Sequence, residues 1–468
     1  MTPSRTARWT AGWLLAAVWA LSFPLFSALA PHRLWGWCAA AGYLAAAAAT
    51  ALGRRREALG AALLGAVAVP LLYLVLTGQG QSEVGVIERS GRLLLDTGKT
   101  YVDHPAGVGE YTPYLPAMSL LGVPRALLDG AFGGGGGGAV RLLGDARIWC
   151  AAVLAGGMWA GRRLLGAAPS PLLPLLVASP VVALPLAVSG VDLPLAGLCC
   201  LALAAAASGR PGAAGAALGA ACALKWTALP AVAVAAALLG SRSGARAAVR
   251  CAVAAGAVTA ALVLPGALLQ PAELWRQVFA FPTGRAEVAT PAGSPLPGHL
   301  LAGLGPWGWY LTVALLALGG LGVALSLWVR PPRTVVAAAD RLALGLTLAF
   351  LLAPAGRFGY LALPALLVVW ARSAAPARGV PSRVVARSGA PGQGAAVAPS
   401  YRSTFRPTAS WSGPSRSASR WRSALRPSDH CPSPTTATRP TPVKDCTRPV
   451  PGPGRARPAP GDGTGTPT

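Results

Sequence analysis

Carboxylates are scarce in this chain and unevenly spread. The sequence has 15 Asp and Glu in 468 residues, and five of them (Glu83, Glu88, Asp96, Asp103 and Glu110) fall between positions 83 and 110. A carboxylate can take a proton from a hydroxyl as general base, and it does so best where its surroundings raise its basicity. Placed on a helix at about 100° per residue, Glu88, Arg89, Arg92 and Asp96 share one arc. Glu88–Arg92 and Arg92–Asp96 are then i,i+4 pairs on a solvated face, each adding a few tenths of a kcal/mol. Glu83 projects to the other side, beside Ile87 and Leu94. A carboxylate in that position either reaches out to water or is kept among apolar groups as a working base. Glu83 is therefore the first catalytic candidate and Asp96 the second, with Glu88 close by.

Few other polar groups stand in apolar surroundings. Gly98 suits a helix C-cap, and "EYTPYLP" then places Tyr111 and Tyr114 at the start of an apolar run. These rings fit an interfacial aromatic belt, or a platform for the apolar side of a sugar. Asp192 in "SGVDLP" lies between two apolar runs, and Lys225 in "ALKWTALP" lies inside one. A lysine so placed needs a partner, and an anionic phosphate would serve. Arg357 in "AGRFGYLALP", next to Tyr360, can hold a phosphate bidentately or reach out to the membrane surface. His299 in "SPLPGHLL" is either a substrate contact or a structural group.

The elements that position these groups are apolar. The chain is 53% hydrophobic and 12% charged. Runs long enough to span a bilayer, about 20 residues each, recur from Trp9 to Ala371 at about 11–30, 36–53, 58–77, 112–128, 147–161, 168–188, 191–208, 212–240, 250–269, 307–329, 336–353 and 360–371. The 212–240 run reads as one broken helix or two short ones. The expectation is an all-α polytopic membrane protein with 11 to 13 transmembrane helices at residues 1–371. A basic Pro/Ser/Arg-rich tail at 372–468 is expected to be disordered, since it cannot bury enough apolar surface to offset its ordering entropy. Strand-like alternation suited to a barrel is missing.

Arg5, Arg8, Arg54–Arg56, Arg242, Arg246, Arg250, Arg330 and Arg333 stand at the ends of apolar runs. The positive-inside rule makes those ends cytoplasmic. Both termini are then inside a cell membrane, and the loops at 79–111, 270–306 and 354–359 are outside. Arg162 and Arg163 fit either side. The N-terminus resembles a signal peptide but reads better as an uncleaved first helix. About half of the net charge of +25 sits in the tail, and no nucleic-acid-binding signature accompanies it. No C-x-x-C, Asp-x-Asp or P-loop occurs, so no metal or cofactor is expected.

In order and spacing these segments resemble the polyprenyl-phosphate-dependent, GT-C-type membrane glycosyltransferases, in particular the actinobacterial group around glycosyltransferase family 87, related to alpha-1,2-mannosyltransferases. "EVGVIERSGRLLLDTGKTY" is similar to the family's first large outside loop, with Glu83 at its aspartate, then Val86, Gly91, Asp96 and Tyr101. "YTPYLP" resembles its Y-P-P segment. "SGVDLPLAGLCCLALAAAASGRPGAAGAALGAACALKWTALP" resembles its G-Q-x-N to lysine stretch, with Lys225 at the lysine, and "GRFGYLALP" resembles its closing segment. Two departures stand out: Glu replaces Asp at 83, and G-Q-x-N reads Gly190, Val191, Asp192.

The resemblance implies inverting transfer of a mannose-like hexose from a polyprenyl-phosphate donor to a glycolipid or glycan acceptor outside the membrane. Glu83 would be the base. Glu88, Tyr101, Tyr111, Tyr114, Asp192, Lys225, His299, Arg357 and Tyr360 would contact substrates. The competing readings are a multi-pass transporter or flippase, with charges at the midplane and internal repeats, and a non-catalytic membrane protein derived from the transferases.

Overall fold

Alanine, leucine and glycine in long uninterrupted runs leave the backbone no partner in lipid except itself, so the chain forms helices. The computed structural model describes residues 4–133 and 137–374, and these are helical without a single strand. The tail from residue 375, and residues 134–136 of the glycine run, lie outside the described residues. Among the described residues, six helices are long and apolar enough to cross a membrane: Arg5–Phe26, Ala30–Ala51, Arg55–Leu76, Ala245–Leu269, Pro306–Val329 and Val335–Leu352. Three shorter apolar helices join them, Leu193–Ala207, Pro211–Leu224 and Phe358–Ala374.

The expected 11 to 13 crossings are reached only if these short helices are counted, together with Ala146–Leu164, the pair Leu172–Ala178 and Pro180–Val188, and Leu229–Ser243. At 1.5 Å per residue, a helix of 14 or 15 residues reaches only about 21–23 Å. Leu193–Ala207 is buried along nearly its whole length, so it sits at the centre of the bundle. Pro306–Val329 buries only Gly308 and Thr312 and forms an edge. The run at 212–240 is two helices. The run expected at 112–128 is no crossing, because Pro113, Pro116 and Pro124 break it into an extended stretch, a 3₁₀ turn at Pro116–Leu121 and the helix Val123–Phe132.

Glycines set how closely the helices approach. Gly42 meets Gly65 and Gly157 meets Gly197, backbone against backbone, and Gly215 and Gly219 lie against Ala245–Leu269. Small residues at crossings are how helices gain packing where lipid is as apolar as leucine.

Contacts at the helix ends sort the loops into two faces. At one, Glu83 bonds Arg357, Gln270 bonds Tyr101, and Gly293 bridges Gly356. The loops at 79–111, 270–306 and 354–359 therefore share a face. At the other, Arg162 donates to Ser373 O, Arg242 to Arg333 O, and Arg372 pairs with Asp340. Arg162, which the sequence left on either side, thus belongs with the arginine-rich ends.

The acidic loop opens as the amphipathic helix Ser82–Thr97, stopped as expected by Gly98 at φ +73°. Its charges do not form the expected i,i+4 ladder. Arg92 pairs with Asp129, Arg89 donates to the carbonyls of Gly109 and Glu110, and Glu88 accepts from Ala146 N. The helix is not a free solvated rod: Gly91 lies directly on the backbone of Gly122 and Val123. A Cβ at 91 has to push that backbone away, so Gly91→Ala is expected to cost about 1–3 kcal/mol. Gly85, on the same helix, faces open space, and Gly85→Ala should be neutral or stabilising by up to about 1 kcal/mol. Apparent Tm values of the two variants in detergent, at one scan rate, check the contrast.

Candidate active site

Lys225 owes its position to a break in the helix. Pro211–Leu224 ends there, Lys225 is extended, and a 3₁₀ turn at Trp226–Ala228 leads into the next helix. The break frees the Leu224 carbonyl, which accepts Leu115 N at 3.0 Å. That bond draws the "YTPYLP" segment over the lysine. Lys225 Nζ lies 5.6 Å from the Tyr114 ring centre and 4.6 Å from that of Tyr360, and 2.6 Å from Asp192 Oδ1. Asp192 stands at the N-cap of Leu193–Ala207 without using its side chain to cap. The carboxylate is therefore free for Lys225. Gly190, at φ +72°, makes the turn that delivers it.

Glu83 lies in the first turn of the amphipathic helix, and its carboxylate bonds the Arg357 guanidinium. Arg357 sits on an extended segment fixed from two sides. Gly356 N donates to Ala292 O at 2.9 Å, and His299 Nδ1 is 3.0 Å from Pro354 O. Burial works against the Arg357 charge, but Glu83 and the two tyrosines more than offset it, so its pKa lies above the ordinary arginine value. Tyr114 is within electrostatic reach of Glu83, Asp192, Tyr360 and Arg357, and Lys225 of Arg357. Two cation–carboxylate pairs and two tyrosine rings thus form one cluster at the face that carries the three loops.

The glycosyltransferase family 87 model matches residues 111–354, just over half of the chain. This chain belongs to glycosyltransferase family 87. With its helices it is a multi-pass membrane glycosyltransferase. Comparison with curated proteins and with solved structures found no match. The family match takes in Tyr111, Tyr114, Asp192, Lys225 and His299, and ends just before Arg357. Glu83, Glu88, Asp96, Tyr101, Arg357 and Tyr360 lie outside it, and the cluster joins Glu83, Arg357 and Tyr360 to the matched region.

The structure separates the remaining candidates from this cluster. Tyr101 is buried and its hydroxyl donates to Tyr114 O at 3.0 Å. Tyr111 is buried with one face stacked on Phe281, 4.4 Å between ring centres. Neither offers the open ring face that a sugar platform requires, so both shape the loop. His299 holds the Arg357 segment through Pro354 O. Asp96 is exposed, near the other end of the 16-residue helix that begins at Ser82. At 1.5 Å per residue that is about 20 Å from Glu83.

Glu88 belongs to a supporting layer. It accepts Ala146 N at 3.2 Å, close to the buried Asp145–Arg147 pair. Burial, and then the nearby Asp145 carboxylate, push its pKa above the ordinary value of 4.5. An acid whose folded pKa is raised binds its proton more tightly folded than unfolded, so its contribution to stability falls as pH rises from 4.5 through the raised value. Glu88→Gln removes that loss. The variant is expected to keep transfer activity and to gain in apparent Tm over the wild type as pH rises across that window. Melting curves from pH 4 upward, about one pH unit apart, check this.

Gln270, Glu273 and Gln277 join the site although no charge pattern marks them. All three are buried. Gln270 Oε1 accepts Thr100 N and Tyr101 N at 3.1 Å, and Gln277 Oε1 accepts Thr112 N at 3.0 Å. Gln277 Nε2 donates to Val102 O and to Glu273 Oε2. Together they pin the irregular segment 100–112. Their signal was a Q-x-x-E-x-x-x-Q spacing that puts three polar groups on one helical face. His32 is likewise unmarked. Its Nε2 lies 2.6 Å from Gln81 Nε2 and its Nδ1 3.3 Å from Ser27 Oγ. A donor amide at Nε2 puts the ring proton on Nδ1, which faces the Ser27 hydroxyl.

Proposed function

We propose that this glycosyltransferase moves a mannose-like hexose from a polyprenyl-phosphate carrier to a glycolipid or glycan acceptor at the extracytoplasmic face. The observation that carries the reading is the cluster itself: two carboxylates, two cations and two tyrosine rings meet on the face opposite the arginine-rich helix ends. The positive-inside rule makes the arginine-rich face cytoplasmic, which leaves the cluster outside, where a flipped lipid-linked sugar is available. A transporter site is expected nearer the midplane.

In the proposed mechanism Glu83 takes the acceptor's proton as its oxygen attacks the anomeric carbon. Lys225 and Arg357 stabilise the departing phosphate, and inversion follows from the single displacement. A phosphate leaves more readily than an alkoxide, so one carboxylate suffices. The test is transfer by the purified protein to cell-envelope glycolipids, from polyprenyl-phosphate-mannose and separately from a nucleotide-linked mannose. Transfer from the lipid donor alone is expected. Transfer from the nucleotide donor alone would overturn the carrier assignment.

A further inference from the structure

Both cations of the cluster are already occupied. Arg357 is bonded to Glu83 and Lys225 to Asp192, so the resting site is two neutral pairs and not an open anion cradle. Among the described residues the Arg357 side chain bonds nothing but Glu83, and Glu83 has one further contact, a 3.5 Å approach of the Ser82 hydroxyl. The pair is not sealed: Arg357 keeps 27% of its side-chain surface exposed and Glu83 13%. The neighbouring Asp145–Arg147 pair, with Arg147 1% exposed, has no such access.

A carboxylate held against a guanidinium is a weak base, and a guanidinium held against a carboxylate is a weak receptor for phosphate. One exchange removes both defects. Resting on the donor assignment above, we propose that Arg357 changes partners during the reaction, leaving Glu83 for the donor's phosphate, so that the lipid-linked phosphate itself frees the base. The charges balance through the step. The acceptor oxygen bonds the anomeric carbon while the carbon–oxygen bond to phosphate breaks, its electron pair leaving with the phosphate. The acceptor's proton passes to Glu83. Glu83 loses a negative charge as the phosphodiester, leaving as a monoester, gains one. Arg357 then has a neutral acid on one side and a dianion on the other, with Lys225 in reach of the same anion. By reciprocity, Glu83 and phosphate each weaken the other's hold on Arg357.

The experiment is binding of polyprenyl phosphate, in detergent at pH 7, to the full chain as wild type, Glu83→Gln, Arg357→Gln and the double variant. Inorganic phosphate and unphosphorylated polyprenol serve as companion probes. Glu83→Gln is expected to bind polyprenyl phosphate about 3- to 10-fold more tightly than wild type, about 0.7–1.4 kcal/mol, and the gain should vanish on the Arg357→Gln background. A gain that persists without Arg357 would reflect only the lost negative charge and would overturn the exchange. Equal or weaker binding by Glu83→Gln would overturn it too, while leaving the donor assignment standing. Failure of all four proteins to prefer polyprenyl phosphate over polyprenol would instead overturn the donor assignment. An Arg357-dependent gain of equal size with inorganic phosphate would support the exchange and remove the need for a lipid carrier.

Discussion

Glu83→Gln is expected to lower transfer by about 10²- to 10⁴-fold, the usual contribution of a positioned general base. The substitution keeps the side chain's size and a hydrogen-bonding oxygen for Arg357, so fold and expression should be unchanged. What it removes is the ability to hold a proton. The loss should therefore fall on kcat, with no rise in donor KM. Glu83→Asp restores the residue type that the family resemblance puts at this position. It also shortens the side chain by a methylene, moving the carboxylate by about 1 Å, and a misplacement of that size can cost about 10²-fold. Because Glu83 bonds Arg357 across the site, the shorter acid also loosens that pair. Rates are thus expected in the order wild type, Glu83→Asp, Glu83→Gln, with Glu88→Gln close to wild type. Initial rates with saturating acceptor at several donor concentrations decide it. A Glu83→Gln protein with wild-type kcat would exclude Glu83 as the base, and Asp192 would be the next carboxylate in the cluster to test.

The membrane-embedded helices were legible because hydropathy needs no partner: a long apolar run has few other destinations. The lone charges were legible for the same reason. Lys225, Asp192 and Arg357 stood out against alanine and leucine, and the structure gathers all three. The pairings were not legible. Arg357 and Glu83 are 274 positions apart and Lys225 and Asp192 are 33 apart, and no local spacing rule reaches so far.

Local rules misled where tertiary partners outbid them. The i,i+4 expectation for Arg92 lost to Asp129, 37 positions on. The concentration of acids at 83–110 also has a more ordinary explanation than catalysis. Glu88 accepts Ala146 N, Asp103 pairs with Lys99 and accepts from Gln270, and Glu110 accepts Ala106 N. Asp103 and Glu110 pin an irregular loop, Glu88 holds the start of the helix Ala146–Leu164, and of the five acids Glu83 alone enters the cluster. The glutamine clamps went unseen because uncharged side chains leave no mark on a charge pattern.

Arg147→Met is expected to be strongly destabilising, because it strands a buried charge. Arg147 reaches Asp145 through Nε at 2.9 Å and Nη2 at 2.7 Å, and donates Nη1 to Ala187 O at 3.2 Å. Gly80 leaves room for it, since a Cβ there would sit 3.3 Å from its Nη1, and Gly190 packs beside its Cα and Cβ. Those two glycines head the segments that carry Glu83 and Asp192. One side chain therefore spaces both carboxylates of the cluster from behind. Methionine fills similar volume but leaves the Asp145 carboxylate buried without its partner, a loss of about 3–5 kcal/mol. Asp145 also accepts Arg147 N as the helix cap, a bond that asparagine can keep. The double variant Asp145→Asn with Arg147→Met is therefore expected to recover much of the lost stability, read as apparent Tm in detergent at a fixed scan rate. It should not recover activity to the same extent. The Ala187 carbonyl loses its guanidinium donor in both variants, so the Gly190–Asp192 turn is held less firmly. If stability and activity returned together, Arg147 would be a fold residue only; a stable double variant with reduced kcat would make it the group that positions the site.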